Sequence, residues 1–476
     1  MEQVSDVNLT GYQGWTRAKA YLWALLDKLA IDRAVAFGIS AKLWQAAASI
    51  VTIAVIAIYY TPEMQGYYYT FISLMALQIF AELGLGNVII NFASHEWAHL
   101  RLCERNGIVG PESALARLAG LGRFALRWYA AAGAAVFVIM GAVGCFLFTG
   151  GPHYAIDWRA PWILFSLLIG IRLWLIPFLA LLEGCNQVSS VYFCRLMEVV
   201  ITSATLWLCI MLDLRLFAPC VSVSAGIAWC VLFLFGKYKR FFRVFFSKHT
   251  AAPMSWRSEI LPMQWRIALS FLGGYFTFYL FTPLTFRFDG PIAAGRMGMT
   301  FAIASGLSAV ASMWIYARVP RFGQMIAKKR FDQLDQLFYR VASISVVLIF
   351  TGGLCAWATV YWLHIRNSFI SARILPLLPT GLLFLAAVLM QVSFCQAAYL
   401  RAHKKEPFLT LSIVQGVLTS LSLLMFGRLY GVLGMVAGYL AIVAFFTVPY
   451  GAYVWNKCRI EWHKDNKLTQ EHVDSE

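Results

Sequence analysis

Residues 161–183 read Pro161-Trp-Ile-Leu-Phe-Ser-Leu-Leu-Ile-Gly-Ile-Arg172-Leu-Trp-Leu-Ile-Pro177-Phe-Leu-Ala-Leu-Leu-Glu183. About 20 apolar residues are what a helix needs to cross the ~30 Å hydrocarbon core of a bilayer. Lipid offers the backbone no hydrogen-bond partner, so such a run must close its bonds internally as an α-helix. Only Arg172 interrupts it before the terminal glutamate.

Moving outward from this stretch, eleven further runs of the same kind appear, which predicts an all-α polytopic membrane protein of about twelve spans. The first six cover roughly 35–59, 69–94, 124–149, 161–183, 190–212 and 216–236. The second six cover roughly 262–286, 292–317, 337–363, 374–400, 408–427 and 432–455. The whole chain agrees: of 476 residues, 60% are hydrophobic and 13% charged, against about 25% charged in a soluble protein. A soluble enzyme, a disordered scaffold and a disulfide-stapled secreted domain are excluded. Aromatic residues make up 16% of the chain, consistent with Trp and Tyr gathering at bilayer interfaces.

The net charge of +16 follows from the excess of Lys and Arg on cytoplasmic loops of membrane proteins, so no nucleic-acid partner is needed to explain it. With the N-terminus inside, the inner segments hold Arg101, Arg105, Arg117 and Arg123, then Lys237, Lys239, Arg240 and Arg243, then Arg318, Arg321 and Lys328-Lys-Arg330. The outer loops hold only Arg159, Arg215, Arg287, Arg366, Arg373 and Arg428. Both termini are therefore expected in the cytoplasm. Residues 1–33 read as an amphipathic cytoplasmic helix lying on the membrane surface, with Trp15, Ala18, Leu22, Leu25 and Leu29 at helical spacing.

A basic, aromatic cytoplasmic loop, 237–261, is expected to divide the chain into an N-lobe of six spans (34–236) and a C-lobe of six (262–455), followed by a cytoplasmic tail (456–476). Internal similarity supports the division. Pro62-Glu-Met-Gln-Gly66 follows the first span and Pro291-Ile-Ala-Ala-Gly295 follows the seventh, each trailed by a Thr-Phe pair. Repeated bundles of this kind are how two-lobed transporters are built.

Ionisable groups at bilayer depth cost about 2.5–3.5 kcal/mol each on insertion scales and tend to face a cavity or each other. Arg172 and Glu82 lie near mid-span, Arg296 in the outer part of the eighth span and Arg266 in the inner part of the seventh. Arg195 and Glu198 stand at i and i+3, a spacing that serves either a pair on one helix face or a cavity wall. Lys42 and Arg266 are also placed to reach the inner interface. Glu82 serves as a protonation site or as the counter-ion of a buried arginine. The guanidinium fork matches phosphate and carboxylate oxygens, so an arginine-rich cavity favours an anionic polar cargo. Arg172, Arg296, Arg266 and Arg195 are the candidate substrate-binding residues, with Glu82 and Glu198 as candidate coupling or counter-ion groups.

His95-Glu96-Trp-Ala-His99 matches the H-E-x-x-H pattern of zinc proteases, but a catalytic zinc needs a third protein ligand and none is evident. Ten cysteines are scattered with no Cys-x-x-Cys, and no G-x-x-x-x-G-K-[ST] phosphate loop occurs. No metal, cofactor or enzymatic activity is expected.

Thr61-Pro-Glu-Met-Gln-Gly-Tyr-Tyr-Tyr-Thr-Phe71, Glu82-Leu-Gly-Leu-Gly86, Phe92-Ala-Ser-His-Glu-Trp97, Leu182-Glu-Gly-Cys-Asn-Gln187 and Tyr399-Leu-Arg-Ala-His-Lys-Lys-Glu-Pro407 resemble the polysaccharide-transporter (Wzx-type flippase) family. That family belongs to the multidrug, oligosaccharidyl-lipid and polysaccharide exporter superfamily. The resemblance implies a V-shaped pair of six-helix lobes around a cavity with basic residues. It also implies transport of undecaprenyl-diphosphate-linked oligosaccharide (an O-antigen, capsule or exopolysaccharide unit) across a bacterial inner membrane by alternating access. Membrane lipids and the polysaccharide polymerase and export machinery are the implied partners. Alternatives are a multidrug/cation antiporter of the same fold, an intramembrane metalloprotease and a non-transporting membrane scaffold.

Overall fold

A computed structural model of the chain describes residues 33–82, 84–103, 107–149, 156–246, 275–403 and 405–473. The amphipathic segment expected over residues 1–33 lies almost wholly outside them, as does Arg266. The described chain is helical apart from one two-stranded hairpin.

The N-lobe comprises α1 (Arg33–Tyr59), α2 (Pro62–Met75), α3 (Gln78–Glu82), α4 (Leu85–Trp97), α5 (Glu112–Thr149), α6 (Arg159–Gly184), α7 (Val188–Met211) and α8 (Ala218–Arg243). The C-lobe comprises α9 (Phe281–Tyr316), α10 (Val319–Ala327), α11 (Phe331–Ile365), α12 (Leu377–Ala402), α13 (Leu409–Ile442) and α14 (Val448–Val473). Among the described residues nine helical segments are long and apolar enough to cross a membrane, and ten with the bent α2–α4 segment included. Two of them are divided within: Gly290 (φ 85°, ψ 176°) breaks α9 and Gly431 (φ 60°, ψ −148°) breaks α13. Only glycine adopts such angles without strain. Taking each side of these glycines separately recovers the twelve expected segments, part of the seventh lying outside the described residues.

Two expectations from hydropathy are corrected. The second span is not one helix, because Gly84 enters the left-handed region (φ 70°) and turns the chain by 44° between α3 and α4. In the polar segment after it, Arg101–Cys103 (β1) pairs antiparallel with Gly107–Val109 (β2). The start of the basic inter-lobe segment is not a loop, since α8 continues to Arg243 with a kink at Tyr238. Tyr238, Phe241, Phe242 and Phe245 are buried there. Phe245 fills the space over Gly122, where a Cβ would come within 2.3 Å of its ring. Charge dominates the one-dimensional reading of this stretch, while helical spacing places its aromatics on one buried face.

The two Pro-x-x-x-Gly steps pack against each other. A Cβ on Gly66 would lie 1.9 Å from the Pro291 carbonyl oxygen, and one on Gly295 would lie 2.9 Å from the Gly66 nitrogen. Small residues let helix backbones approach this closely. Gln65, 1% exposed, donates from Nε2 to the Gly295 carbonyl at 2.8 Å and the Arg373 carbonyl at 2.9 Å, which ties α2 to the C-lobe. An aromatic cluster continues the seam, with Tyr67 and Phe148 both edge-on to Phe286 at 5.0 and 5.1 Å between centroids. The lobes are thus joined at the end where α2 and the second part of α9 begin. The opposite end carries the Lys and Arg clusters.

At that basic end α14 is anchored to α11 and α12. Asp335 accepts from Arg459 Nε at 2.7 Å and from the Tyr399 hydroxyl at 2.8 Å. The Arg459 guanidinium also stacks over Trp455 at 5.3 Å. Asp335→Ala leaves these donors without their acceptor, at a cost of about 1–3 kcal/mol. Faster tryptic cleavage at Lys457 and Arg459 and a melting temperature lower by a few degrees are expected.

Candidate functional site

Four helix faces and α3 converge inside the N-lobe on a cavity of about 500 Å³. Each wall is a helical stripe: Gly38, Lys42 and Gln45 on α1, Gln78 and Glu82 on α3, Arg172 and Ile176 on α6, Tyr192, Arg195 and Glu198 on α7, Gly226 and Cys230 on α8. Spacings of three and four residues put such positions on one face. The scaffold around it is stitched by indole donors. Trp44 Nε1 reaches Ser203 Oγ at 3.0 Å and Trp207 Nε1 reaches Thr52 Oγ1 at 2.9 Å, fixing α1 to α7. Trp229 Nε1 donates to the Cys194 carbonyl at 3.1 Å, fixing α8 to α7. Gly226 keeps the cavity open at the α7–α8 crossing, where a Cβ would meet the Thr202 methyl at 2.7 Å. Gly133 and Gly170 let α5 and α6 touch backbone to backbone, which sets the position of Arg172 two residues on.

The charges form a crossed network. Arg172 donates from Nε and Nη2 to Glu198 Oε1 at 3.1 and 3.0 Å. Arg195 donates from Nη2 to Glu183 Oε2 at 2.9 Å. Both carboxylates are about 14% exposed, whereas the two arginine side chains keep 40% and 42% of their surface open. A guanidinium has five N–H donors, so each retains donors for a guest. The i, i+3 pairing of Arg195 with Glu198 does not form. The two helices α6 and α7 instead exchange two bridges, because the facing helix presents a carboxylate at shorter reach than the next turn does.

Glu82 faces the same space one turn after Gln78, in the field of Arg195 and Arg172. Lys42 Nζ lies 3.4 Å from Gln45 Oε1. The cavity walls carry three bases, Lys42, Arg172 and Arg195, against two acids, Glu82 and Glu198, and Glu183 pairs with Arg195 from outside that lining. An unpaired guanidinium in a low-dielectric lobe is costly, and the carboxylates relieve that cost.

Arg296 is not part of this group. Its Nε donates to the Ala372 carbonyl at 2.9 Å, at the joined end of the lobes. Gln45, Gln78 and Glu183 were missed by a search for mid-span charges. Their signal is the helical spacing from a charged neighbour: Lys42 to Gln45, and Gln78 to Glu82. The H-E-x-x-H stretch is not a metal site in this geometry. Helix α4 ends at Trp97, so His99 has left the helical face, and Glu96 Oε1 accepts from Arg117 Nε at 2.8 Å. Among the described residues no three His, Cys, Asp or Glu side chains cluster for metal binding.

A second cavity of about 490 Å³ lies between α2 and the C-lobe, walled by Tyr69, Phe278, Thr282, Phe301, Ser308 and Tyr439 among others, with no charged side chain among the described residues.

No family model and no curated protein matches the sequence. Solved structures do match in shape. An inward-facing multidrug-resistance MATE transporter of the MOP superfamily aligns at TM-score 0.63 and 14% identity over 88% of this chain and 95% of that one. A mutant of the Vibrio cholerae MATE transporter VcmN aligns at 0.56 and 13% identity, over 90% of this chain and 97% of that one. The lipid II flippase MurJ in an inward closed conformation aligns at 0.55 and 11% identity, over 91% of each chain. The chain is a multi-pass membrane protein with the fold of the MOP-superfamily transporters.

Proposed function

We propose that this chain is a flippase that moves an undecaprenyl-diphosphate-linked oligosaccharide from the inner to the outer leaflet of a bacterial inner membrane by alternating access. The observation that carries the reading is the pair of half-open guanidiniums, Arg172 and Arg195, held inside an apolar lobe by carboxylates that a guest can displace. A diphosphate matches the guanidinium fork in two-point fashion. It competes with Glu198 for Arg172, while the prenyl chain remains in lipid. The likeness to a lipid II flippase supports a lipid-linked cargo. The basic end of the bundle faces the cytoplasm, following the Lys/Arg rule for membrane loops, and both termini lie on that side. The lobes rock about the α2–α9 contact, so that the head group crosses without meeting hydrocarbon. The polymerase that consumes the flipped unit is the natural downstream partner.

Arg172→Ala is expected to abolish surface polysaccharide in a host that depends on this chain, with the protein still inserted in the membrane. Normal polymer on the cells carrying that variant overturns the reading.

A second reading, a multidrug/cation antiporter, draws on the two carboxylates, Glu82 and Glu198, in the N-lobe cavity and on the likeness to two MATE transporters. It predicts that a deletion strain becomes sensitive to cationic drugs while keeping its surface polymer. Loss of polymer with unchanged drug tolerance selects the flippase.

A further inference from the structure

Several bases at the basic end of the bundle are held by acids: Arg117 by Glu96, Arg401 by Glu406, Arg459 by Asp335 and Lys457 by Glu461. The corner between α9 and α11 is different. It carries Arg318, Arg321, Lys328, Lys329 and Arg330, all exposed, and none of them forms a hydrogen bond or ion pair with a described residue. Asp332, the nearest acid along the chain, is exposed and pairs with none of them.

Helix α10 holds these cations in a fixed array. Its apolar stripe, Val319, Phe322, Met325 and Ile326, packs onto α11 and α12. Phe322 is fully buried there, 6.4 and 6.5 Å between centroids from Phe338 and Tyr399. Arg321, Gln324 and Lys328, at spacings of three and four, occupy the other face. The C-terminus is closed by backbone bonds from Lys328, Lys329 and Arg330 to the Gln324, Ile326 and Met325 carbonyls at 3.1, 3.0 and 2.9 Å, with Lys329 in the left-handed region (φ 55°). The last turn of α9 gives the depth. Trp314 and Tyr316 are half exposed, and such aromatics sit at the headgroup level of a bilayer. An amphipathic helix with a basic outer face lies in that layer. Each unpaired cation near an anionic membrane surface strengthens binding about fivefold.

We propose that α10 and the cations flanking it are a docking surface for anionic phospholipid headgroups, which seat the α9–α11 corner of the C-lobe on the membrane. Charge complementarity and the neighbouring aromatics favour lipid over a soluble acidic partner, because the array lies at the depth where lipid phosphates already are. The inference does not depend on which cargo the chain carries.

The test is hydrogen exchange on the full chain in nanodiscs of phosphatidylcholine alone and of phosphatidylcholine mixed with phosphatidylglycerol. Amides of 321–330 are expected to exchange at least about fivefold more slowly in the anionic bilayer, while those of 457–461, beside paired bases, stay the same. Replacing Arg321, Lys328 and Arg330 together by Gln is expected to abolish the difference without lowering the melting temperature, since all three side chains are exposed. Arg321→Lys keeps the charge and is expected to keep the difference. Inorganic phosphate added to the neutral bilayer is expected to give no protection. Equal exchange at 321–330 in the two bilayers overturns the proposal, as does a difference that survives in the triple variant. Protection in the neutral bilayer by inorganic phosphate or by poly-glutamate, equal to that from phosphatidylglycerol, overturns the choice of lipid. Surface polymer is not the readout, so this inference and the flippase reading stand or fall separately.

Discussion

Gly66→Val is expected to eliminate export while the protein still reaches the membrane. The position has no room for a side chain, since a Cβ would stand 1.9 Å from the Pro291 oxygen and 2.6 Å from its carbon. Those atoms are backbone, so no rotamer change relieves the clash and α2 must move off α9. Gln65 then loses its bonds to the Gly295 and Arg373 carbonyls, leaving a buried amide unsatisfied. On the proposed flippase reading, joining of the lobes at this end is one half of the cycle, so a chain that cannot join them cannot complete it. Gly295→Ala is expected to be milder, because its nearest contacts are 2.9 and 3.1 Å away. Hydrogen exchange checks the cause: amides at 62–66 and 291–295 are expected to lose protection in Gly66→Val. Wild-type export with unchanged protection there is incompatible with a close-packed seam.

The second large effect concerns the Arg172–Glu198 pair. Glu198→Ala leaves a guanidinium in the lobe interior without its acceptor, and Arg172→Ala strands a carboxylate that is only 14% exposed. Each single change is expected to destabilise by about 1–3 kcal/mol, toward the lower end because the Arg172 side chain is 40% open to the cavity. Replacing both, as Arg172→Met with Glu198→Leu, removes the charges together and is expected to return stability to within about 1 kcal/mol of wild type, as for other buried pairs replaced by apolar residues. Export is expected to stay absent in the double variant. Thermal melting of the purified protein and surface polymer on cells separate the two effects. A double variant that exports shows that the pair serves packing alone.

Glu82 and Gln78 illustrate how much of the site was legible beforehand. A carboxylate in the middle of an apolar run points to a cavity on energetic grounds alone, and Glu82 does line one beside Arg172, Arg195 and Glu198. Arg296 satisfied the same criterion and instead holds a loop carbonyl near the joined end. The criterion registers the cost of burying a charge, and a backbone acceptor relieves that cost as well as a ligand does.

Apolar runs of membrane-crossing length, the glycines that end them, the basic end of the bundle and the repeated Pro-x-x-x-Gly step are properties of local sequence, and from them the all-α membrane architecture follows. Each depends only on residues near one another in the chain, where hydropathy and backbone freedom act. The partners of the charges depended on the tertiary structure: Arg172 meets a glutamate 26 residues away and Arg195 one 12 residues back. So did the meeting of the two Pro-x-x-x-Gly steps. Which helix faces which is decided by packing summed over whole lobes, and electrostatic pairing follows from that arrangement.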